Sequence, residues 1–298
     1  MVDVSVIIVN YNTESLLAAS VESLYENTKG ASFEIIVVDN NSRPESRERL
    51  KDTLSRYPGT RLVPLAENLG FGCANNAAVP FAEGDYILLL NPDTVLLNDA
   101  VSVMKDYLDS HGSVAACGGN LLDSEMRPAT SFHRLFPSVI GELNSLLFYL
   151  PERVKYGKNR FFNHTGKPLD VAAITGADLM IRKSVVEKTG LFDESFFMYY
   201  EDTELCHRIR GAGYGIVSVP DARIQHLEGR SSSDMKRKAD IVSAGRKNYY
   251  RVTGRGRLYT GVCNCLFFCC CLIRSLTGLV QGSSQFRYWS RMLCNVFS

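Results

Sequence analysis

Two adjacent acids, Glu201 and Asp202, stand between an apolar, aromatic run and the polar start of a helix in FFMYYEDTELCHRIR, residues 196–210. Leu205 and Ile209 share one face of the expected helix, and Arg208 and Arg210 lie near its end. A carboxylate at a helix start meets backbone N–H groups and the positive end of the helix dipole, so it stays ionised beside a greasy wall. That suits a general base aimed at a substrate hydroxyl. The same place also suits a plain N-cap or first-turn acid. Other groups occupy expected strand ends. Asp39 closes VVDNNS, where it can accept the ring N–H of a uracil or thymine, or merely end the strand in an Asx-turn. Asp93 follows YILLLNP and can offer a hard oxygen to Mg²⁺ or Mn²⁺ on a diphosphate, or belong to a type I turn set by Pro92. His226 ends a further expected strand, where an imidazole suits Mn²⁺ or serves structure alone.

The elements that must hold these groups alternate. Apolar runs at 4–9, 34–38, 61–64, 86–90 and 114–116 predict strands, and patterns from 13 or 14 to 28, 45–56 and 98–109 predict helices. Residues 68–81 read as a Gly-Asn loop entering another helix. Short apolar strands between amphipathic helices predict a mostly parallel α/β sheet covered on both faces. Ligands bind at the carboxyl ends of strands in such sheets. Asn10-Tyr11-Asn12, the run 39–42 and the run 91–94 sit at three of those ends and outline one pocket. Residues 119–168 are less regular, with Pro128, Pro137, Pro151 and Pro168 and an apolar helix over 139–150, and are expected to cover one side of the site. Strand character returns over 171–182, with Thr175-Gly176-Ala177 inside it, followed by a helix over 183–189 and closing strands at 214–219 and 222–226. Gly70 and its neighbours lack both G-x-G-x-x-G and the Lys-Ser/Thr of a P-loop, which excludes Rossmann and P-loop readings.

The chain of 298 residues holds one large α/β domain with a C-terminal extension, divided here as 1–228 and 229–298, or two small domains. With 45% apolar and 22% charged residues it is globular, and its net charge of +1 gives no global pull toward nucleic acid. The first twelve residues read as a buried strand and not a leader, which leads to an expected cytoplasmic location at the inner face of the plasma membrane. Nine cysteines without a CxxC pair read as reduced thiols. Residues 230–257 carry nine Lys or Arg against two Asp, a local excess of seven. The apolar run 262–273 that follows spans only ~18 Å as a helix, short of the ~30 Å of a hydrocarbon core. The pair reads as docking on an anionic membrane surface, or as a helix that packs on the domain or on a second copy.

In order, VSVIIVNYN, VVDNNS, ENLGFGCANN, LLLNPDT, TGADLMIRK and GLFDESFFMYYEDTELCHRIRGAGY resemble the successive signatures of family 2 inverting glycosyltransferases with the GT-A fold, in the rhamnosyltransferase-like branch. The resemblance covers residues 3–228. It implies a nucleotide-diphospho-sugar transferase fold with a C-terminal helical extension. It implies Asp202 as the base, with Glu201, Tyr199 and Tyr200 on the acceptor side. It also implies donor contacts from Asn10, Tyr11, Asp39, Asn68, Gly70, Asn75, Asn91 and Gly176, and a Mg²⁺ or Mn²⁺ at Asp93 and His226. The D-x-D motif is reduced here to Asn91-Pro92-Asp93, which leaves one firm carboxylate. The Q-x-x-R-W of processive synthases is absent from its usual place, so transfer of one sugar is expected, from a dTDP- or UDP-sugar, with dTDP-rhamnose first, to a glycan or lipid-linked glycan. Two rivals predict other features. A nucleotidyltransferase needs a basic, Gly-rich loop after the first strand, and residues 10–15 contain no base. A non-catalytic nucleotide-sugar-binding protein would be favoured by loss of the acidic pair, and both acids are present.

Overall fold

Every residue of the first strand, β1 (Val4–Asn10), is buried, as a continuous apolar run requires when both faces of a sheet are covered. In this computed structural model, which describes residues 2–227, 235–281 and 283–297, it is followed by α1 (Glu14–Asn27), β2 (Phe33–Asp39), α2 (Pro44–Leu54), β3 (Thr60–Pro64), α3 (Gly70–Ala78), β4 (Tyr86–Leu90), β5 (Thr94–Leu96) and α4 (Ala100–Ser110). Next come β6 (Val114–Leu122), β7 (Phe132–His133), α5 (Val139–Leu146), α6 (Leu150–Tyr156), β8 (Leu169–Asp170), β9 (Ala173–Ile174), β10 (Asp178–Arg182), α7 (Lys183–Thr189) and α8 (Glu201–Gly211). The long strand β11 (Gly215–His226) precedes three helices, α9 (Met235–Val252), α10 (Arg257–Gln281) and α11 (Ser283–Asn295).

The main sheet has the order β3-β2-β1-β4-β10-β6-β11-β5, with β8 also on β11. The strands β3, β2, β1 and β4 pair in parallel; β10 runs against β4 and β6, while β6 and β11 again run parallel to each other. The sheet is thus mixed but mostly parallel. Alternation within each strand divides the core. Val6 and Ile8 face one layer with Leu17, Leu24, Leu50 and Met104 of α1, α2 and α4. Ile7 and Val9 face the other with Ala74, Val185, Leu205 and Ile209 of α3, α7 and α8.

Several expected elements change shape. The strand expected at 114–116 continues to Leu122, because Gly118, Gly119 and Asn120 lie buried between β10 and β11. Residues 171–182 form two strands separated by a turn at Thr175-Gly176-Ala177. The two closing strands are one, with a register shift between Ser218 and Arg223 that absorbs Pro220. The helix expected over 139–150 breaks into α5 and α6 where Phe148 and Tyr149 adopt left-handed φ values of 52° and 60°.

The C-terminal run also differs from expectation. Its apolar centre belongs to a helix of 25 residues, α10, because residues 257–261 and 274–281 continue the helix on either side. Its stretch Arg257–Gly278 is long and apolar enough to cross a membrane by length and composition. The basic stretch is not a uniform solvated strip: Arg246 is buried and paired with Glu142 of α5 at 2.7 Å, and also bonds Asn264 and the Cys263 carbonyl of α10. Arg230 and the division at 228/229 lie outside the described residues.

Candidate active site

Three adjacent strand ends supply the first part of the site. Asn10 and Asp39 end the parallel neighbours β1 and β2 in register with each other. The Asn10 amide donates to Asp39 Oδ1 at 3.2 Å and to Ser42 Oγ at 3.0 Å, and its own Oδ1 accepts from the Thr13 N–H. Asp39 is 0% exposed, and its Oδ2 accepts from Arg47 Nε at 2.7 Å. A nucleobase therefore reaches Asp39 only if the half-buried Arg47 guanidinium turns aside. Tyr11 stands exposed just beyond β1.

The end of β2 is tied to α3. Asn40 donates to Asn68 Oδ1 and to the Gly70 carbonyl, both at 3.1 Å, while its Oδ1 accepts from the Leu69 N–H. Gly70 has φ +83°, and a Cβ there would lie 2.2 Å from the Phe197 carbonyl oxygen, so only glycine allows the next residue's N–H to bond that carbonyl at 2.8 Å. Asn75 is buried and donates back to the Phe71 carbonyl, which makes it a buttress of α3 facing away from solvent.

At the end of β4, Asn91 Nδ2 and His226 Nε2 lie 3.3 Å apart, and His226 Nε2 is 3.2 Å from Asp93 Oδ1. The Leu227 N–H bonds the Asp93 carbonyl, which fixes the end of β11 against this turn. Asp93 and His226 thus offer one hard oxygen and one imidazole side by side. No group of three His, Cys, Asp or Glu able to hold a metal occurs among the described residues. The pair still fits a Mg²⁺ or Mn²⁺ that takes its other ligands from phosphate oxygens and water, as these ions commonly do.

Asp202 sits at the start of α8 and accepts three hydrogen bonds. Its Oδ2 takes the Gly176 N–H at 3.0 Å, and its Oδ1 takes the N–H and hydroxyl of Thr203 at 2.6 and 3.1 Å. Tyr199 and Tyr200 before it both have left-handed backbones, φ 68° and 71°, each costing about 1–3 kcal/mol unless the surroundings hold it. Here α9 presses on them: Gly245 is so close that a Cβ would sit 2.5 Å from the Tyr199 carbonyl oxygen, and the Tyr200 ring meets Tyr249 at 6.1 Å.

This kink separates the two acids. Glu201 is turned inward, its Oε2 buried with no hydrogen-bond partner, and burial first, then the Asp202 charge, pushes its carboxyl up to about 8. At neutral pH Glu201 holds its proton while Asp202 is ringed by donors. The aromatic run divides in the same way. Phe196 is core with Tyr249 and Tyr250, and Tyr200 packs on that cluster, whereas Phe197 is exposed.

The Thr175–Ala177 turn joins the two halves of the site. The Ala177 carbonyl accepts the Asn91 N–H at 3.0 Å, and the Gly176 N–H one residue earlier holds Asp202. Sequence reasoning missed Asp178, the next residue. It is fully buried, accepts the Gly119 N–H at 2.6 Å, and leaves Oδ1 without a hydrogen-bond partner. Burial pushes it up to about 7, against the pull of the Gly119 N–H and then of His226. The signal was an acid inside an apolar strand run, DLMIR.

Residues 5–189 match the family described as Glycosyl transferase family 2, which leaves the Glu201–Asp202 pair just beyond the match. The chain is 26% identical over 72% of its length to the N-acetylglucosaminyl-diphospho-decaprenol L-rhamnosyltransferase of Mycobacterium tuberculosis (strain CDC 1551 / Oshkosh), 73% of which is covered. It is 29% identical to the rhamnosyltransferase WbbL of Escherichia coli (strain K12), over 73% of this chain and 80% of that one. The fold is similar to that of the mannosyltransferase PcManGT of Pyrobaculum calidifontis, solved in complex with GDP-Man and Mn²⁺, with a TM-score of 0.60 at 16% identity over 100% of this chain and 87% of that one. The family match extends over more than half of the chain, the fold is of the GT-A kind, and the protein is a glycosyltransferase that belongs to glycosyl transferase family 2.

Proposed function

We propose that the protein transfers one sugar, rhamnose from dTDP-rhamnose first, to a hydroxyl of a lipid-linked glycan in cell-surface polysaccharide synthesis, with inversion at the anomeric carbon. The observation that carries this reading is the Thr175–Ala177 turn, bonded on one side to Asn91 beside Asp93 and His226, and on the other to Asp202. A donor's diphosphate at the first end and an acceptor hydroxyl at the second would place the anomeric carbon between them. Rhamnose and the lipid diphosphate acceptor are supported by the names of the two rhamnosyltransferase relatives.

In the proposed reaction Asp202 accepts the acceptor's O–H proton as that oxygen bonds the anomeric carbon. The bond from the anomeric carbon to the diphosphate oxygen breaks, and the nucleoside diphosphate leaves with the electron pair. A Mg²⁺ or Mn²⁺ held by Asp93 and His226 would supply positive charge against the charge growing on that diphosphate. Glu201, neutral beside Asp202, adds no second charge to compete for the proton. The exposed Tyr11 lies where the base and ribose would enter, with Asp39 and Arg47 beneath. We place the enzyme at the cytoplasmic face of the plasma membrane, where such acceptors are elongated.

A panel of dTDP-, UDP- and GDP-sugars with Mn²⁺ or Mg²⁺ and a short-chain lipid-diphosphate N-acetylglucosamine acceptor, read by mass spectrometry, tests the proposal. One donor is expected to add a single sugar with inverted configuration. Asp202→Asn is expected to lower kcat by about 10²–10⁴-fold with little change in donor KM. Transfer by Asp202→Asn at the native rate would remove Asp202 from the role of base.

A further inference from the structure

The short helix α5 is built inside out. Its buried residues are polar, Glu142 and Asn144, while Ile140, Leu143 and Leu147 point outward at helical spacing, Ile140 being 69% exposed. Glu142 accepts from Arg246 at 2.7 Å and from the Tyr250 hydroxyl at 3.0 Å, and Asn144 donates to Glu152 at 2.9 Å. The outward face has no such partner among the described residues.

The turn that follows adds to it. Phe148 and Tyr149 take left-handed backbones that leave both rings exposed, and Leu150 and Val154, one turn apart on α6, continue the apolar surface, Val154 at 80% exposure. The flank of α10 joins here: its Arg274 Nη2 bonds the Ser145 carbonyl at 3.1 Å and its guanidinium lies over the Phe148 and Tyr149 rings. Only a third of the apolar stretch of α10 is buried by the rest of the chain. Exposed apolar surface this continuous marks a contact with a partner or a membrane.

Charge chooses between them. Arg153, Lys155, Lys158 and Arg160 follow within eight residues, and Arg160 stacks over the Tyr149 ring at 5.2 Å. Of the acids in the same segment, Glu142 is buried in its ion pair and Glu152 is engaged by Asn144. In a two-fold dimer this patch would face its own copy, bringing like charges together. An anionic bilayer meets the same pattern favourably, apolar side chains at the acyl boundary and cations at the headgroups.

We propose that the α5–α6 corner, residues 140–160, together with the adjoining flank of α10, is the surface through which this protein seats on an anionic lipid bilayer. Arg246 of the basic segment before α10 is buried in its pair with Glu142 and so is turned away from any lipid. The inference deepens the lipid-linked acceptor reading by giving that acceptor's membrane a place on the fold. A structural path connects the two: Glu142 of α5 holds Arg246 of α9, and Gly245 beside it backs the Tyr199 carbonyl ahead of Asp202.

The test uses the full chain with sedimented vesicles of phosphatidylcholine, with or without phosphatidylglycerol, and needs no turnover. The native protein is expected to bind the anionic vesicles, and the triple variant Leu147→Glu, Leu150→Glu, Val154→Glu to bind them roughly tenfold or more weakly. Lys155→Glu with Lys158→Glu is expected to abolish the preference for anionic vesicles. Both variants alter exposed side chains, so an unchanged melting temperature shows that they fold. Equal vesicle binding by native and triple variant overturns the proposal. So does a lipid-free native dimer that the triple variant dissociates, because the face then belongs to a second copy. Loss of vesicle binding in the variant supports the surface even if no sugar donor is ever turned over, which separates its failure from that of the enzymatic reading.

Discussion

Glu201 and Asp202 are neighbours in sequence and opposites in environment. Asp202 collects three donors, whereas Glu201 loses water and gains a like charge. Environments that push two acids apart assign them different tasks. Above about pH 8, Glu201 ionises and places a second negative charge beside the base. The pH–rate profile is therefore expected to fall on its alkaline side with an apparent pKa near 8, and Glu201→Gln to lose that limb; an identical limb in the variant would mean that Glu201 does not cause it. Asp178 makes a related case for stability. Its folded value of about 7 lies above the ordinary 3.8, so the folded chain keeps a proton that the unfolded chain releases from about pH 4 upward. Its contribution is fully present below that range and is lost as pH rises through 7. Asp178→Asn should thus raise the melting temperature relative to native more at pH 8 than at pH 4, as read by thermal unfolding at both.

Among the elements, α9 matters most to the site although it contributes no reacting group. Its Gly245 permits the closest approach to the Tyr199–Tyr200 kink, and that kink aims the first turn of α8. A methyl at Gly245 must displace either α9 or the Tyr199 carbonyl, both backbone. Gly245→Ala is expected to cost about 1–3 kcal/mol in chemical denaturation and to lower kcat more than it raises donor KM. Gly261→Ala on α10, where nothing lies within 4 Å, serves as the control: it should leave kcat unchanged and stabilise the helix by up to ~1 kcal/mol. Equal effects of the two substitutions would show that α9 does not support the kink.

At the scale of the molecule, the C-terminal helices behave as part of the catalytic body. The Glu142–Arg246 pair is buried at the junction of α5, α9 and α10, with Tyr250, Asn264 and the Cys263 carbonyl completing its hydrogen bonds. Removing one partner leaves the other charge buried and alone. Arg246→Met is expected to destabilise the fold by about 3–5 kcal/mol, whereas the double change with Glu142→Leu should recover much of that loss, measured as a double-mutant cycle in denaturant. Additive losses would mean that the two residues do not act as a pair.

The sequence alone was sufficient for the inner strands β1, β2 and β4, because a strand buried on both faces must be a short continuous apolar run, and these three are read directly from VSVIIVN, FEIIVVD and YILLL. The polar clusters after them were equally legible, since the rule that ligands gather at strand ends needs only chain direction. Local pattern was silent on long-range pairing. That Asp39 would be held by Arg47, that Tyr200 would turn to Tyr249, and that a polar α5 face would be drawn inward by Arg246 some hundred residues away depend on contacts no window of sequence contains. Tertiary structure alone decided which of the two acids faces inward. Adjacent residues at a helix start differ by about 100° in direction, and only the positions of Gly176 and α9 determine which direction is solvent and which is core.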